Sequence, residues 1–273
     1  MKNNYTRIKG ISDLRRLPRL GKIRLGVKGI NPKGINYPIE KDYFVVPQEV
    51  ADVYGTAPKE LDVMFPVDDP EVVFPQRLIW FGQSKGAKCM GDGEKASRLN
   101  DKGFWEEREC PCELFKSKQC QQRAHLLVIL PQVNMGGVYQ IDCSSYHSIV
   151  DLNSGIDYIS ALVGRIAMVP LKLCRVPRET HGSGRKEIHY PLQIRLDANL
   201  ALLNLLRANT GKIIGAGGRE LPAVEPENPE MDEDAIEEKI EGNLKTKNCP
   251  EAGIIDIVSC EKCRSRQGCP AWD

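Results

Sequence analysis

The chain has no apolar run approaching the roughly 18 residues that a membrane-spanning helix needs. Its first 25 residues also lack the apolar stretch of about 7–15 residues that marks a secretory leader. The expectation is a cytoplasmic protein with no membrane association. Aromatic residues make up only 6%, and the basic N-terminal stretch has none interleaved with its charges, Tyr5 and Tyr37 apart, so base stacking there is not indicated. Histidine is scarce: His125, His147, His181 and His189 are scattered. His125 is close enough to Cys120 to replace one metal ligand. His147 lies near Cys143 and Ser144–Ser145, but without the acid or nucleophile elbow that a catalytic pair needs. No G-x4-G-K-[ST] is present. The glycines of Gly215-Ala-Gly217-Gly218 follow a helical pattern rather than a strand, so they read as a hinge and not a phosphate loop.

Net charge is also small, at +1, yet the ends are opposed. Residues 1–34 carry ten bases against Asp13 alone, whereas residues 219–241 carry ten acids against Arg219 and Lys239. A basic arm suits a polyanion or an acidic partner, with Arg15, Arg16, Arg19, Lys22, Arg24 and Lys28 as the candidate contacts. An acidic run suits a solvated linker.

What the chain does have is ten cysteines. Outside an oxidising compartment, clustered cysteines point to metal or redox chemistry rather than disulfides. Cys89, Cys110, Cys112 and Cys120 are spaced C-x20-C-x-C-x7-C. Four thiolates are a common structural zinc set, and Pro111 pre-sets the turn between the close pair. Residues 82–123 are too polar to be ordered by burial, and a bound metal would supply about 10–16 kcal/mol apparent. The turn Gly91-Asp92-Gly93 lets the Cys89 thiolate face inward. Cys249, Cys260, Cys263 and Cys269 form a second set, C-x10-C-x2-C-x5-C, in a module too short for its own core. Zinc or a [4Fe-4S] cluster fits it, since Pro270 directly follows the last cysteine. Its C-x2-C-x5-C is also similar to the cluster staple of some recombination nucleases. The lone E-x-K, Glu237–Lys239, sits in the acidic stretch, so nuclease activity does not carry over. Cys143 and Cys174 fall in predicted strands and read as small core residues.

The apolar pattern predicts an α+β fold, mainly short antiparallel strands with a few helices, an inserted four-cysteine knuckle and a small C-terminal Cys-rich module. Its parts are a basic arm (1–37), a core (38–214) with the knuckle at 82–123, an acidic linker (215–248) and the C-terminal module (249–273). Strands are expected at Lys22–Lys28, Tyr43–Val46, Ala124–Leu130 and Gly137–Asp142. Helices are expected at Gly155–Val163 and at Ala198–Ala208, the latter capped by Asp197. Ile166–Val176 and Glu187–Leu196 read as a long hairpin.

The runs RLGKIRLGVK (19–28), DYFVVP (42–47) and ADVYGTAPKELDVMF (51–65) resemble the opening of the phage recombination directionality factor-like proteins. So do the Cys89-GDG and Cys110-x-Cys112-x7-Cys120 patterns, HLLVILPQVNMGGVYQID and GRIAMVPLKL, over residues 19–196. The resemblance implies a non-enzymatic accessory protein in a bacterial host cell. It would bind a large serine integrase and direct site-specific recombination toward excision. It also implies zinc on Cys89, Cys110, Cys112 and Cys120. The alternatives are a metal-dependent hydrolase or nuclease, which needs an open metal position and a general base, and a zinc-stabilised nucleic-acid-binding protein using the basic arm.

Overall fold

The computed structural model describes residues 16–30, 36–82, 86–182, 185–209, 246–249 and 253–256. Among them the order is β1 (Arg19–Ile30), β2 (Asn36–Val45), α1 (Gln48–Tyr54), β3 (Glu60–Val63), α2 (Pro70–Val73), β4 (Gln76–Trp80), β5 (Cys89–Gly91), β6 (Lys95–Leu99), β7 (Trp105–Glu109), α3 (Glu113–Lys116), β8 (Gln121–Leu130), β9 (Asn134–Cys143), α4 (Tyr146–Val163), β10 (Leu171–Arg175), β11 (Arg178–Gly182), β12 (Arg185–His189), β13 (Leu192–Arg195), α5 (Leu200–Ala208), β14 (Thr246–Cys249) and β15 (Gly253–Asp256). The fold is α+β and rich in strands, as the pattern predicts.

Two compact units result, each described here by itself. The first holds Met1–Thr180 and Ile188–Glu238, and the second His181–Glu187 with Lys239–Asp273. The first unit contains an eight-stranded sheet, β2-β1-β9-β8-β4-β5-β6-β7, and a three-stranded sheet, β13-β10-β3. Strand β8 shows why the large sheet has a core face. Ala124, Leu126, Val128 and Leu130 recur at period two and are buried, while His125 and Leu127 between them are half-exposed. Ile23 and Leu25 of β1 and Tyr139 and Ile141 of β9 join the same cluster. It also takes in Leu61 and Val63 of β3, Leu171 and Leu173 of β10, and the inner face of α4. Bridges from Met64 to Ile129 and from Phe65 to Ala167 tie the small sheet's flank to β8 and to the segment after α4. Arg175 of β10 is buried and donates to Glu40 Oε1 at 2.8 Å and to the Lys41 carbonyl at 2.6 Å on β2, joining the two sheets by charge-assisted bonds.

Helix α4 buries Leu152, Ile156, Ile159 and Val163 at helical spacing and ends in left-handed Gly164 (φ 83°). A Cβ on its Gly155 would sit 2.9 Å from the Ile194 carbonyl oxygen, so only glycine lets α4 lie this close to β13.

Several elements differ from expectation. Helix α4 starts nine residues before Gly155, where Ser145 caps it by accepting from the Ser148 N–H. Helix α5 is capped by Asn199, which accepts from the Leu202 N–H at 2.9 Å, and not by Asp197. The stretch expected as a basic arm holds β1, an interior strand antiparallel to β2 and parallel to β9. The expected long hairpin forms in two parts, β10 on β13 and β11 on β12. The polar stretch 82–123 supplies three strands that extend the large sheet. The acidic linker lies outside the described residues up to Thr246, and the C-terminal module is described only as the β14–β15 ladder.

Candidate metal centre

Strands β5 and β6 fold about Asp92–Gly93. Asp92 Oδ1 accepts from the N–H groups of Glu94 and Lys95 at 2.8 Å, which holds its carboxyl below the usual carboxylate range, and Gly93 takes φ 103°. This hairpin sets Cys89 directly across from Arg98 and Gly91 across from Ala96. Leading out of β7, Cys110 and Cys112 flank Pro111, whose peptide bond to Cys110 is cis, and Cys112 is the N-cap residue of α3. Cys120 immediately precedes β8. At period two it falls on the face of that strand that also carries Ala124 and Leu126. The thiols therefore extend the core face of the large sheet toward its β7 end.

Cys89 and Cys120 are buried, and Cys110 and Cys112 are partly buried. Burial pushes the Cys120 thiol up to about 11, with Cys89, Cys110 and Cys112 adding to the rise. Cys89, Cys110 and Cys112 are each within electrostatic reach of Cys120. Burial also works against ionising Cys112. It is outweighed by hydrogen bonds from the backbone of Leu114 and Phe115 at the start of α3 and by Arg98, so this thiol lies below its ordinary value. Packing on the other side is tight: a Cβ on Gly91 would lie 2.8 Å from the Cys110 sulfur and 2.9 Å from the Lys95 carbonyl oxygen. As the side chains stand, no group of three or more His, Cys, Asp or Glu among the described residues is arranged to hold a metal ion. The donor chemistry suits a thiolate-binding metal, but the side chains as they stand do not assemble around one.

The other sequence candidates lie elsewhere. His125 does not join the thiols; its Nδ1 donates to Asp142 Oδ1 at 2.6 Å on the opposite face of β8. Lys22 reaches the other oxygen of the same carboxylate at 3.0 Å, and Arg19 donates to Gln140. Burial works to raise Asp142, and His125 and then Lys22 overcome it, leaving this carboxyl well below its ordinary value. Arg24 and Lys28 are on β1 and Arg16 just precedes it, whereas Arg15 lies outside the described residues. Of the second cysteine set, Cys249 is in β14, and Cys260, Cys263 and Cys269 lie outside the described residues. Cys143 and Cys174 are buried in β9 and β10, and burial pushes Cys174 up to about 11. His147 accepts from Arg178 at 3.0 Å, and Arg178 also pairs with Asp151.

Residue-by-residue reading missed Arg98 and Trp80. The guanidinium of Arg98 donates to the Cys112 sulfur at 3.0 Å and lies 5.7 Å from the Trp80 ring centroid. The Asp92–Gly93 turn could have exposed it, because a hairpin folded there puts residue 98 opposite residue 89.

The fold is a strand-rich α+β scaffold whose principal sheet carries Cys89 in β5, Cys110 and Cys112 after β7, and Cys120 before β8. A family model described as Gp3-like, recombination directionality factor-like, matches residues 20–197, and the chain belongs to that family. No curated protein and no solved structure matches it. The matched span runs from β1 through β13 and takes in all four thiols of the first set. No described helix is long and apolar enough to cross a membrane.

Proposed function

We propose that the chain is a phage or prophage accessory protein that binds a large serine integrase and turns site-specific recombination toward excision. The observation that carries this reading is the family match across both the core and the thiol end of the sheet. In this role the integrase cuts and joins DNA, and the accessory chain supplies binding energy. By binding one integrase–DNA arrangement better than another it shifts their populations, each tenfold preference corresponding to about 1.4 kcal/mol. The thiol end offers an apolar contact for such a partner: Phe104 is 68% and Trp105 46% exposed beside the β6–β7 turn.

Cys89, Cys110, Cys112 and Cys120 would hold a structural zinc ion once drawn together. The donor set and its seclusion support this. When bound, the ion supplies a closed four-thiolate cross-link and no open position for chemistry. The chain's own residues bring the ligands from β5, the turn after β7, the α3 cap and the start of β8, so the cross-link would pin a segment with little apolar burial of its own.

The test is an attL × attR recombination assay with purified integrase, with and without the chain, alongside a pull-down of the two proteins. Stimulated excision with direct binding is expected. No binding and no change in recombination would discard the reading.

A further inference from the structure

Strand β7 ends the large sheet on one side, and among the described residues nothing pairs with its outer edge. The bonds to β6 fix which backbone groups lie on that edge. The Cys110 N–H donates to the Glu94 carbonyl at 3.0 Å, and the Asn100 N–H donates to the Phe104 carbonyl at 2.9 Å. Antiparallel pairs alternate between bonded and non-bonded. Glu106 and Arg108, opposite Arg98 and Ala96, therefore turn their N–H and C=O groups toward β6. Trp105, Glu107 and Glu109 turn theirs outward. Every residue of β7 is exposed, Trp105 by 46%. Such an edge is a template for another strand.

We propose that β7 is a docking edge that takes an extended, basic segment of the integrase as an added strand. The inference rests on reading the chain as an integrase partner. Main-chain bonds to Trp105, Glu107 and Glu109 supply the affinity, and the side chains beside them supply the selection. These three residues share one face of the sheet with Lys95, Ser97 and Leu99. A strand laid along them meets one aromatic ring and two carboxylates. It is matched by an apolar residue opposite Trp105 and by Lys or Arg opposite Glu107 and Glu109. Glu107 pairs with Lys95 at 2.9 Å, but both side chains are largely exposed, so a second cation can approach at little cost. The other face selects less, because Glu106 is already held by Asn100 at 2.7 Å and Arg108 at 3.0 Å. A second copy of β7 fits poorly. Antiparallel registers that overlap more than one outward residue set Glu106 on Glu106, Glu107 on Glu107, or Glu107 on Glu109. Like charges directly opposite are destabilising, so the charges that oppose self-pairing are the ones that favour a basic strand.

The experiment titrates purified integrase against the full-length chain and follows hydrogen exchange of the complex. Glu107→Pro deletes an outward N–H and places its ring on the edge, leaving the bonds to β6 in place. It is expected to weaken integrase binding at least about tenfold. Glu107→Lys combined with Glu109→Lys keeps the backbone intact. It is expected to weaken binding by a similar factor at low salt, with the deficit shrinking as salt rises. In the wild-type complex, exchange should slow across Trp105–Glu109 and stay unchanged across β8 and β9. Either variant binding within about twofold of wild type overturns the proposal. Should Glu107→Pro lose the exchange protection of β5 and β6, the lysine pair decides alone. Self-association of the chain that Glu107→Pro abolishes would assign the edge to a second copy and overturn the proposal as well. No binding by the wild-type chain removes the integrase reading and this proposal with it, whereas unchanged binding by the variants removes the proposal alone.

Discussion

The two ends of the large sheet are held together in different ways. Where β1, β9 and β8 run side by side, the inner face is continuous hydrocarbon: Ile23, Leu25, Ile141, Leu126 and Val128 pack against the three-stranded sheet and α4. Where β5, β6 and β7 continue the same sheet, that face carries Cys89, Gly91, Ala96 and Arg98, and β7 is exposed throughout. Hydrophobic burial of about 25 cal/mol per Å2 accounts for the first end and supplies little to the second. What that end carries instead is the four thiols of the first cysteine set, with Arg98 donating to the Cys112 sulfur at 3.0 Å.

The largest expected effect breaks the thiol end alone. Cys120→Ser should remove one bound zinc per chain by elemental analysis, and with it a binding contribution on the order of 10 kcal/mol. Residues 124–143 should keep their protection from hydrogen exchange. Leu126→Ala should do the reverse, lowering global stability by about 2–5 kcal/mol in urea unfolding without altering zinc content. Gly91→Ala would force a methyl group against the Cys110 sulfur and the Lys95 carbonyl; a cost of about 1–3 kcal/mol is expected, together with weaker metal binding.

The smallest effect lies on the opposite face, at Asp142. Its folded-state pKa is depressed, so its contribution is fully present above the unfolded value of about 4 and fades as pH falls toward the folded one. Asp142→Asn should cost about 1–3 kcal/mol at pH 7, and the gap to wild type should narrow below about pH 4 in pH-dependent unfolding.

The core end was legible in the sequence because period-two burial writes itself into residue type. Ala124–Leu130 announces a strand, and the burial of Cys143 and Cys174 follows from their place in such runs. The start of α4 was hidden because Tyr146 and Val150 face outward, which blurs the apolar period before Gly155. Strands β5 to β7 were hidden for a stronger reason. With both faces polar, as in Trp-Glu-Glu-Arg-Glu, a strand leaves no hydrophobic alternation to read, and only the Asp92–Gly93 turn betrays the hairpin. The four cysteines of the first set stand out by spacing alone, and the structure does not arrange three or more of them to hold a metal ion; the place of Arg98 opposite Cys89 was hidden because it depends on strand register.

Hydrogen exchange by mass spectrometry on the full chain, with and without a strong zinc chelator, tests the division most directly. Chelation should accelerate exchange at least about tenfold across residues 86–122 and change it less than about twofold across 124–143. Equal protection of residues 86–122 in both conditions would contradict the claim that thiolate-bound metal fixes that end of the sheet.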